Sequence, residues 1–276
     1  MMFFRRREAK LVAKLDKLIA GERLEMPAGL LEEKVWQILR VLEQSEQKSK
    51  TEHENILSLM GDISHQLKTP LASLMLHLDL AADSSLTEDE RANFIAECKK
   101  QTQKIGWLTD SLLKIARLET GLVAVTKTPA DFVKTVHEAT ATITAQAKAK
   151  GLEIIINLPD TLELNHDPVW TKEVLCNILD NAVKYTEAGS INITLERGVM
   201  YTRVNISDTG MGIAVEDYTK IFSRFYRVRS LQAQRVEGTG LGLTIAREIM
   251  RQQQGNITVS SELGKGSVFS VFLQNC

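Results

Sequence analysis

Apolar residues recur at helical spacing over most of the first 120 residues. One stripe begins at Leu31 and steps by four and three residues to Ile63, the rhythm of a coiled-coil seam. The polar residues from Ser45 to Glu52 interrupt the seam. They are either an interruption that the coiled coil tolerates or a point where the packing switches. The stripe continues to Ala81, so the pattern predicts a long amphipathic helix that ends near this residue.

A second stripe predicts a partner helix. Asp83-Ser84-Ser85 is typical of a turn, and Thr87 is a suitable N-cap because Glu90, three residues on, completes a capping box. The apolar positions then continue to Gly121. Two such helices form an αα-hairpin. One hairpin cannot bury both stripes, so we expect a homodimer that forms a four-helix bundle.

After Gly121 the pattern changes to strands mixed with helices, which indicates a sheet covered by helices on one face. The predicted strands are 122–126, 152–158, 190–196, 201–207, 256–260 and 267–273, and the predicted helices are 130–150, 169–185 and 240–254. The chain therefore divides into a helical lead-in (1–50), a helical hairpin domain (51–121) and an α/β domain (122–276).

Composition narrows the class of protein. The 276 residues are 43% apolar and 25% charged, which is ordinary for a globular protein. A net charge of −1 argues against a nucleic-acid partner bound through a large basic surface. Three cysteines at unrelated spacings, Cys98, Cys176 and Cys276, give neither a disulfide framework nor a zinc pattern and fit a reducing cytosol.

The chain contains no apolar run long enough to span a bilayer. Its first residues are basic, with Arg5-Arg6-Arg7 and three lysines soon after. This end is either a solvated helix start or a contact with an anionic leaflet. We expect a cytoplasmic protein, or one at the cytoplasmic face of the membrane if Phe3-Phe4 is the inner edge of a removed span.

His65 is predicted to face solvent, because it lies two residues from both Ile63 and Leu67 of the apolar stripe. A lone surface histidine needs no function. Pro70, however, removes a helical hydrogen bond beside it at a cost of about 3 kcal/mol, and Thr69 lies one turn away on the same face. An exposed, neutral imidazole is a competent nucleophile, so this segment is a candidate reactive site.

Three segments of the C-terminal half predict a phosphate-binding site. Asn177 and Asn181 share one helix face, and amide oxygens suit a hydrated Mg²⁺. Asp208 ends a strand before two glycines, and Gly238 to Gly242 precede a helix whose N-terminus suits an anion. The stretch from Lys220 to Val236 is basic, which suits a triphosphate. Neither a Walker-type nor a Rossmann glycine motif is present.

These segments together resemble the transmitter region of a sensor histidine kinase over about residues 52–276. The resemblance implies a dimerisation hairpin followed by a Bergerat-type α/β-sandwich domain that binds ATP. The similar segments are Ile63–Leu71 (H box), Asn177–Tyr185 (N box), Asp208–Gly212 (G1 box), Ile221–Arg227 (F box) and Gly238–Gly242 (G2 box). Residues 8–50 weakly resemble a degenerate two-helix signalling connector.

The resemblance implies a role for each matching residue. His65 is the phosphoacceptor, Gln66 orients it, Thr69 serves dephosphorylation of a response regulator, and Asn181 holds Mg²⁺. Asp208 reads adenine, and Ser267 either touches the adenine pocket or belongs to a bare turn. The implied partner is a receiver domain that accepts the phosphoryl group on aspartate. The implied ATP-binding residues are Asn177, Asn181, Lys184, Tyr185, Asp208, Gly210, Gly212, Arg224, Arg227, Gly238, Thr239, Gly240, Leu241 and Gly242.

Gln66 departs from the family pattern, which has Glu or Asp at this position. A glutamine orients the imidazole but is not an effective base, and general-base help is worth about 10²- to 10⁴-fold in rate. We therefore expect either a slower kinase or partial substitution by Asp62.

Two other functions stay open at this stage. Gln66 also fits a scaffold that binds ATP without kinase activity, or a phosphatase-only partner of a regulator. A gyrase- or chaperone-type ATPase is the third hypothesis. Asn177 argues against it, because those enzymes place a water-activating glutamate there.

Overall fold

A computed structural model describes Arg40, residues 60–228, Ser230, Val236 and residues 238–276. The seam predicted from Leu31 to Leu59 and nearly all of the lead-in therefore lie outside the described residues, as do Arg229 and Arg235 of the basic stretch. No helix within the described part is long and apolar enough to cross a membrane.

Helix α1 (residues 60–81) and helix α2 (Glu88–Glu119) form the predicted hairpin. The capping box is confirmed: the Thr87 hydroxyl accepts from the Glu90 N–H at 3.3 Å, and the Glu90 carboxylate accepts from the Thr87 N–H at 3.0 Å. The Cys98 thiol donates to the carbonyl of Leu74 at 3.8 Å, which ties the two helices together.

One apolar face of the hairpin remains exposed in the single chain. Leu71, Met75 and Leu78 of α1 and Leu113 of α2 are each at least half exposed. A run of large apolar side chains along one face is typical of an interface. The exposed face therefore agrees with the predicted pairing of two hairpins.

The rest of the described chain is an α/β domain. Its five-stranded sheet has the order β2-β4-β5-β7-β6, in which only the β2–β4 pair is parallel, and β1 pairs with β3 in a separate antiparallel ladder. The elements are β1 Thr128–Asp131, α3 Phe132–Ala149, β2 Glu153–Asn157, β3 Glu163–His166, α4 Pro168–Tyr185, β4 Ser190–Arg197, β5 Tyr201–Asp208, α5 Gly242–Gln252, β6 Asn256–Glu262 and β7 Gly266–Gln274.

Alternate side chains of the sheet form the core with the helices. Ile191 and Ile193 on β4, Ile206 on β5, and Phe269 and Val271 on β7 are at most 5% exposed, whereas the residues between the core positions of β4 and β7 are more accessible. This period of two confirms a sheet whose one face is covered by helices. The end of β5 carries Asp208. Helix α5 follows the F box (Ile221–Arg227) and the G2 box (Gly238–Gly242), which are called the F segment and the G2 segment below.

Three predictions about elements need correction. Residues 122–126 form no strand, and the first strand is Thr128–Asp131. Leu122 is 79% exposed, whereas Val125 packs against the core without forming a strand. Strand β3 was not predicted, because four residues are too few for a clear period. Helix α5 begins at Gly242 rather than at residue 240, because Gly240 has a φ of +73°.

Candidate functional site

A cleft of about 980 Å³, including the part that opens to solvent, lies between α4, α5 and the end of β5. The structure brings eleven of the predicted nucleotide residues to its wall: Asn177, Asn181, Lys184, Tyr185, Asp208, Gly212, Arg227, Gly238, Thr239, Gly240 and Gly242.

Helix α4 supplies the polar wall of the cleft. The side chain of Asp167 caps its N-terminus by accepting from the N–H groups of residues 169 and 170, and Pro168 stands at the first helical position. The Asn177 amide nitrogen donates to the Glu173 carbonyl at 2.9 Å, which fixes the direction of its oxygen. Lys184 pairs with Asp180 at 2.6 Å, one turn away.

Lys150 holds the C-terminal end of α4. Its ammonium donates to the carbonyls of Val183 at 2.7 Å, Lys184 at 3.0 Å and Thr186 at 3.3 Å. These carbonyls belong to the end of the helix, where a cation also interacts favourably with the helix dipole. The clamp fixes the backbone that carries Lys184 and Tyr185 into the cleft.

Asp208 is the buried acid of the cleft, 9% exposed. Burial raises its pKa, although hydrogen bonds from the N–H groups of Gly210 at 2.9 Å and Ser267 at 3.3 Å act in the opposite direction. Both bonds end on Oδ1, so Oδ2 is the oxygen left for a donor group of a ligand. Gly210 lies beneath the acid rather than in the wall, and a Cβ there would approach the Tyr185 carbonyl oxygen to 2.5 Å.

The F and G2 segments interlock at Gly240. Phe225 and Gly240 both have positive φ, +60° and +73°, and the Phe225 N–H donates to the Gly240 carbonyl at 2.9 Å. A Cβ on Gly240 would lie 2.6 Å from the Phe225 carbonyl carbon, so the contact requires glycine. The neighbouring Tyr226 hydroxyl donates to Asp217 at 2.6 Å, which anchors the F segment to the domain.

The start of α5 fits an anion. Its N-cap residue, Leu241, makes no side-chain capping bond, and its side chain is fully buried in the core. The first N–H groups of the helix are therefore not satisfied by a cap. The Thr239 hydroxyl lines the cleft and is buried without a hydrogen-bond partner among the residues that the structure describes. An orphaned donor beside an uncapped helix N-terminus matches the chemistry of a phosphate group.

Besides Gly210, two predicted nucleotide-binding residues are absent from the wall of the cleft. Arg224 is not in the wall of the cleft but forms an ion pair with Glu119 at the end of α2. Leu241 contributes only its backbone, as described above. Arg227 does line the cleft, and its guanidinium donates to the carbonyl of Val236. The sequence pattern of a basic stretch cannot distinguish a cation that faces a ligand from one that pairs with another helix.

Several wall residues were not predicted. Met211, Ile213, Ile221 and Phe269 give the cleft an apolar side next to Asp208 and Ser267, which suits a flat heterocycle. Trp107 of α2 also lines the cleft. No local sequence signal marks it, because its position depends on how α2 packs against the α/β domain.

The H segment lies on α1. His65 is exposed, as the spacing predicts, and Thr69 is exposed as well. Gln66 is half-buried, and Pro70 is buried although residues 60–81 remain helical. The structure therefore presents an imidazole on a solvent-facing helix surface beside an internal proline.

The comparisons with known proteins agree with both parts of the chain. The family model of the His Kinase A (phospho-acceptor) domain matches residues 56–121. The family model of histidine kinase-, DNA gyrase B-, and HSP90-like ATPases matches residues 166–275. The chain belongs to the sensor histidine kinase family. Its two matched segments carry the histidine and the cleft described above.

Among curated relatives of this histidine kinase, the sensor protein SrrB of Staphylococcus aureus (strain N315) is 32% identical over 216 residues, which are 78% of this chain and 37% of SrrB. SrrB of strain Mu50 matches to the same extent. The chain thus spans just over a third of the length of these relatives.

Solved structures share the fold of the kinase. Histidine kinase AdeS of Acinetobacter baumannii has a TM-score of 0.64 at 24% identity and covers 76% of this chain and 98% of AdeS. ThkA in complex with the response regulator protein TrrA has a TM-score of 0.68 at 21% identity, and the match covers 85% of this chain and 66% of the ThkA chain. Full-length ShkA in complex with AMPPNP has a TM-score of 0.57 at 26% identity, and the match covers 77% of this chain and 45% of the ShkA chain.

Proposed function

We propose that this histidine kinase binds ATP in the cleft, transfers the γ-phosphoryl group to His65, and passes it to an aspartate of a response-regulator receiver domain. The observation that carries the proposal is the cleft itself, whose wall contains the acid Asp208, the Thr239 hydroxyl and the uncapped start of α5. The solved complex of ShkA with AMPPNP supports a nucleotide as the ligand. ThkA, which shares the fold, is solved in complex with a response regulator protein, the kind of partner proposed here.

The chemistry follows from the polar groups of the cleft. Asp208 Oδ2 accepts from the adenine amino group, while the backbone of the G2 segment and Thr239 bind phosphate oxygens. The His65 ring nitrogen attacks the γ-phosphorus in line, so a P–N bond forms as the bond from the γ-phosphorus to the bridging oxygen breaks. ADP leaves with the electron pair, and the imidazole proton passes to solvent or to a nearby base.

Asn181 and Asn177 are the residues that would hold Mg²⁺, because amide oxygens on one helix face fit an ion that retains several waters. When bound, the ion neutralises part of the phosphate charge. The carboxylate of Asp180 lies in the same wall but pairs with Lys184.

We also propose that the chain consists of three parts: a lead-in (1–50), a hairpin domain (51–121) and an ATP-binding domain (122–276). Two chains form a homodimer through the exposed face of the hairpin. Thr69 supports dephosphorylation of the regulator. The cytoplasm or its membrane face is the proposed location, and nucleic acid is not a proposed partner.

A labelling experiment tests the proposal. Wild-type protein incubated with γ-labelled ATP and Mg²⁺ is expected to take up label that is labile in acid and stable in base. His65→Ala removes it, and the matched control His137→Ala, which changes another exposed histidine, retains it. Label on His65→Ala equal to that on the wild type would exclude His65 as the acceptor.

A second function is favoured by one observation, the amide at Gln66. A scaffold or phosphatase-only protein would bind ATP, lose this binding in Asn181→Ala, and never form phosphohistidine. The labelling experiment separates the two functions, because phosphohistidine on the wild-type protein excludes the second.

A further inference from the structure

A tryptophan of the helical hairpin lies in the wall of the nucleotide cleft. Trp107 belongs to α2, outside all five sequence segments that resemble family motifs, yet it lines the same cleft as Asn177, Asn181 and Lys184. Its side chain is 45% exposed. A large indole that lines the cleft and remains partly exposed is available to a ligand that fills the cleft.

The apolar face of α2 places this helix against the α/β domain. Leu108, Ile115 and Leu118 are at most 2% exposed and belong to the same hydrophobic cluster as the buried residues of α4 and α5. Their steps of seven and three residues define one side of α2. Gln252 of α5 donates to the Leu118 carbonyl at 2.7 Å, so the end of α2 is fixed to α5 by backbone as well as side chains.

Two ion pairs fix the position of α2 further. Lys114 pairs with Glu173 of α4 at 2.7 Å, and Glu119 pairs with Arg224 of the F segment. These pairs are partly exposed, so each contributes little alone. Their position is informative, since one joins α2 to α4 and the other joins α2 to the F segment, and both α4 and the F segment contribute residues to the cleft.

The indole shares the wall of the cleft with a charged pair of α4. Asp180 and Lys184, which pair at 2.6 Å, line the same cleft as Trp107. A ligand that fills the cleft therefore meets groups of both helices.

We propose that Trp107 is a nucleotide-binding residue supplied by the helical hairpin, so that nucleotide affinity depends on the docking of α2. The proposal rests on the proposed binding of ATP in the cleft. A bound nucleotide covers the indole and reduces its exposure to water, while the indole excludes water from that part of the cleft. By thermodynamic linkage, any event that pulls α2 away weakens nucleotide binding, and bound nucleotide strengthens the docking by the same factor.

An affinity measurement with matched variants tests the contact. ATP is titrated calorimetrically into the wild-type 276-residue chain, Trp107→Ala, Trp107→Phe and Thr109→Ala, in which an exposed residue of the same helix is changed. We expect Trp107→Ala to bind about threefold to tenfold more weakly and Trp107→Phe to recover most of the loss, since the aromatic face is retained. Thr109→Ala is expected to bind like the wild type.

The fluorescence of Trp107 gives an independent readout. ATP is expected to change tryptophan emission in the wild type and in Trp170→Phe, but not in Trp107→Phe. A change that persists in Trp107→Phe would show that the signal comes from elsewhere and would count against the contact.

The docking is tested by a charge swap. Glu119→Arg and Arg224→Glu are each expected to lower ATP affinity by about twofold to fivefold, the range of partly exposed ion pairs. The double variant is expected to restore it, a rescue that general destabilisation does not produce. Single variants with wild-type affinity would overturn the link between docking and binding.

The outcomes separate this inference from the proposed function. If the wild type binds no ATP, the proposed function fails. If the wild type binds ATP and Trp107→Ala, with an unchanged melting temperature, binds it equally well, the proposed function stands and the role of Trp107 is rejected.

Discussion

The backbone N–H of Phe225 donates to the carbonyl of Gly240 at 2.9 Å, and both residues have left-handed backbone conformations. A phenylalanine with positive φ is strained by about 1 kcal/mol or more. The contact is retained at this cost and joins the F and G2 segments through two residues that are fifteen positions apart in the sequence. The two segments therefore act as one wall of the cleft.

Gly240→Ala is expected to weaken ATP binding at least about tenfold and to lower stability by about 1–2 kcal/mol, because alanine is strained at this φ and its Cβ would meet Phe225. Calorimetric titration with ATP and thermal unfolding measure the two effects. Gly61→Ala is the control: a Cβ there meets nothing within 4 Å, and the residue is helical. Equal affinities for the two variants would show that the interlock has no role in binding.

Asp208→Asn is expected to raise the melting temperature by about 2–4 °C while it abolishes measurable ATP binding. The amide keeps Oδ1, which accepts from Gly210 and Ser267, and it removes a buried charge whose pKa is raised by burial. Its NH₂ group, however, stands where the adenine amino group needs an acceptor. Scanning calorimetry and ATP titration test the two effects, and a variant that is both less stable and fully able to bind would contradict the assignment.

The buried His166 is expected to lower the free energy of unfolding in mild acid. It is fully buried, contacts the Thr135 hydroxyl at 3.1 Å and the Leu164 carbonyl at 3.0 Å, and burial lowers its pKa from the ordinary 6.5. The charges of Asp131 and Asp167 oppose this shift without cancelling it. Below pH 6.5 the unfolded chain binds a proton that the folded protein does not, so the free energy of unfolding decreases as pH falls.

Thermal unfolding at several pH values measures this loss. The decrease between about pH 7.5 and pH 5.5 is expected to be steeper for the wild type than for His166→Gln, which keeps a polar side chain but does not titrate. His137→Ala, a change at an exposed histidine, serves as the control and should keep the wild-type slope. Parallel curves for all three proteins would assign the acid sensitivity to other groups.

Gln66→Glu is expected to increase the initial rate of His65 phosphorylation by about tenfold or more, because the carboxylate accepts the imidazole proton that the amide cannot. Incorporation of label from γ-labelled ATP in the first turnover measures the rate. Gln66→Ala should be no faster than the wild type. A Gln66→Glu rate equal to that of the wild type would indicate that Asp62 or solvent already removes this proton.

The sequence predicts most of the fold where local signals are strong. The Thr87–Glu90 capping box starts α2 as expected, because capping depends on residues three apart. The hairpin of β4 and β5 and the glycines of the cleft are also found from local patterns. Strand β3 and the first strand at Thr128–Asp131 depend on pairing with each other over about thirty residues, which no short window contains.

The same distinction applies to the site. Asn177, Asn181 and Asp208 are predicted because helix period and strand ends position them locally, and the structure brings them to one cleft. The sequence wrongly places Arg224 in the cleft and gives no sign of Trp107. The ion pair of Arg224 with Glu119 and the position of the indole both follow from how α2 packs on the α/β domain. Tertiary docking of one helix therefore removes one residue from the predicted set and adds another.

The register of β5 against β7 places Asp208 directly opposite Ser267, whose N–H reaches the acid. A residue inserted within either strand would shift this pairing and turn the remaining side chains to the other face. The turn at 198–200 lies at the far end of β5, about 25 Å away along the strand, and Val199 there is almost fully exposed. Changes in chain length in descendants of this sequence should therefore accumulate at that turn, while the lengths of β5 and β7 stay constant.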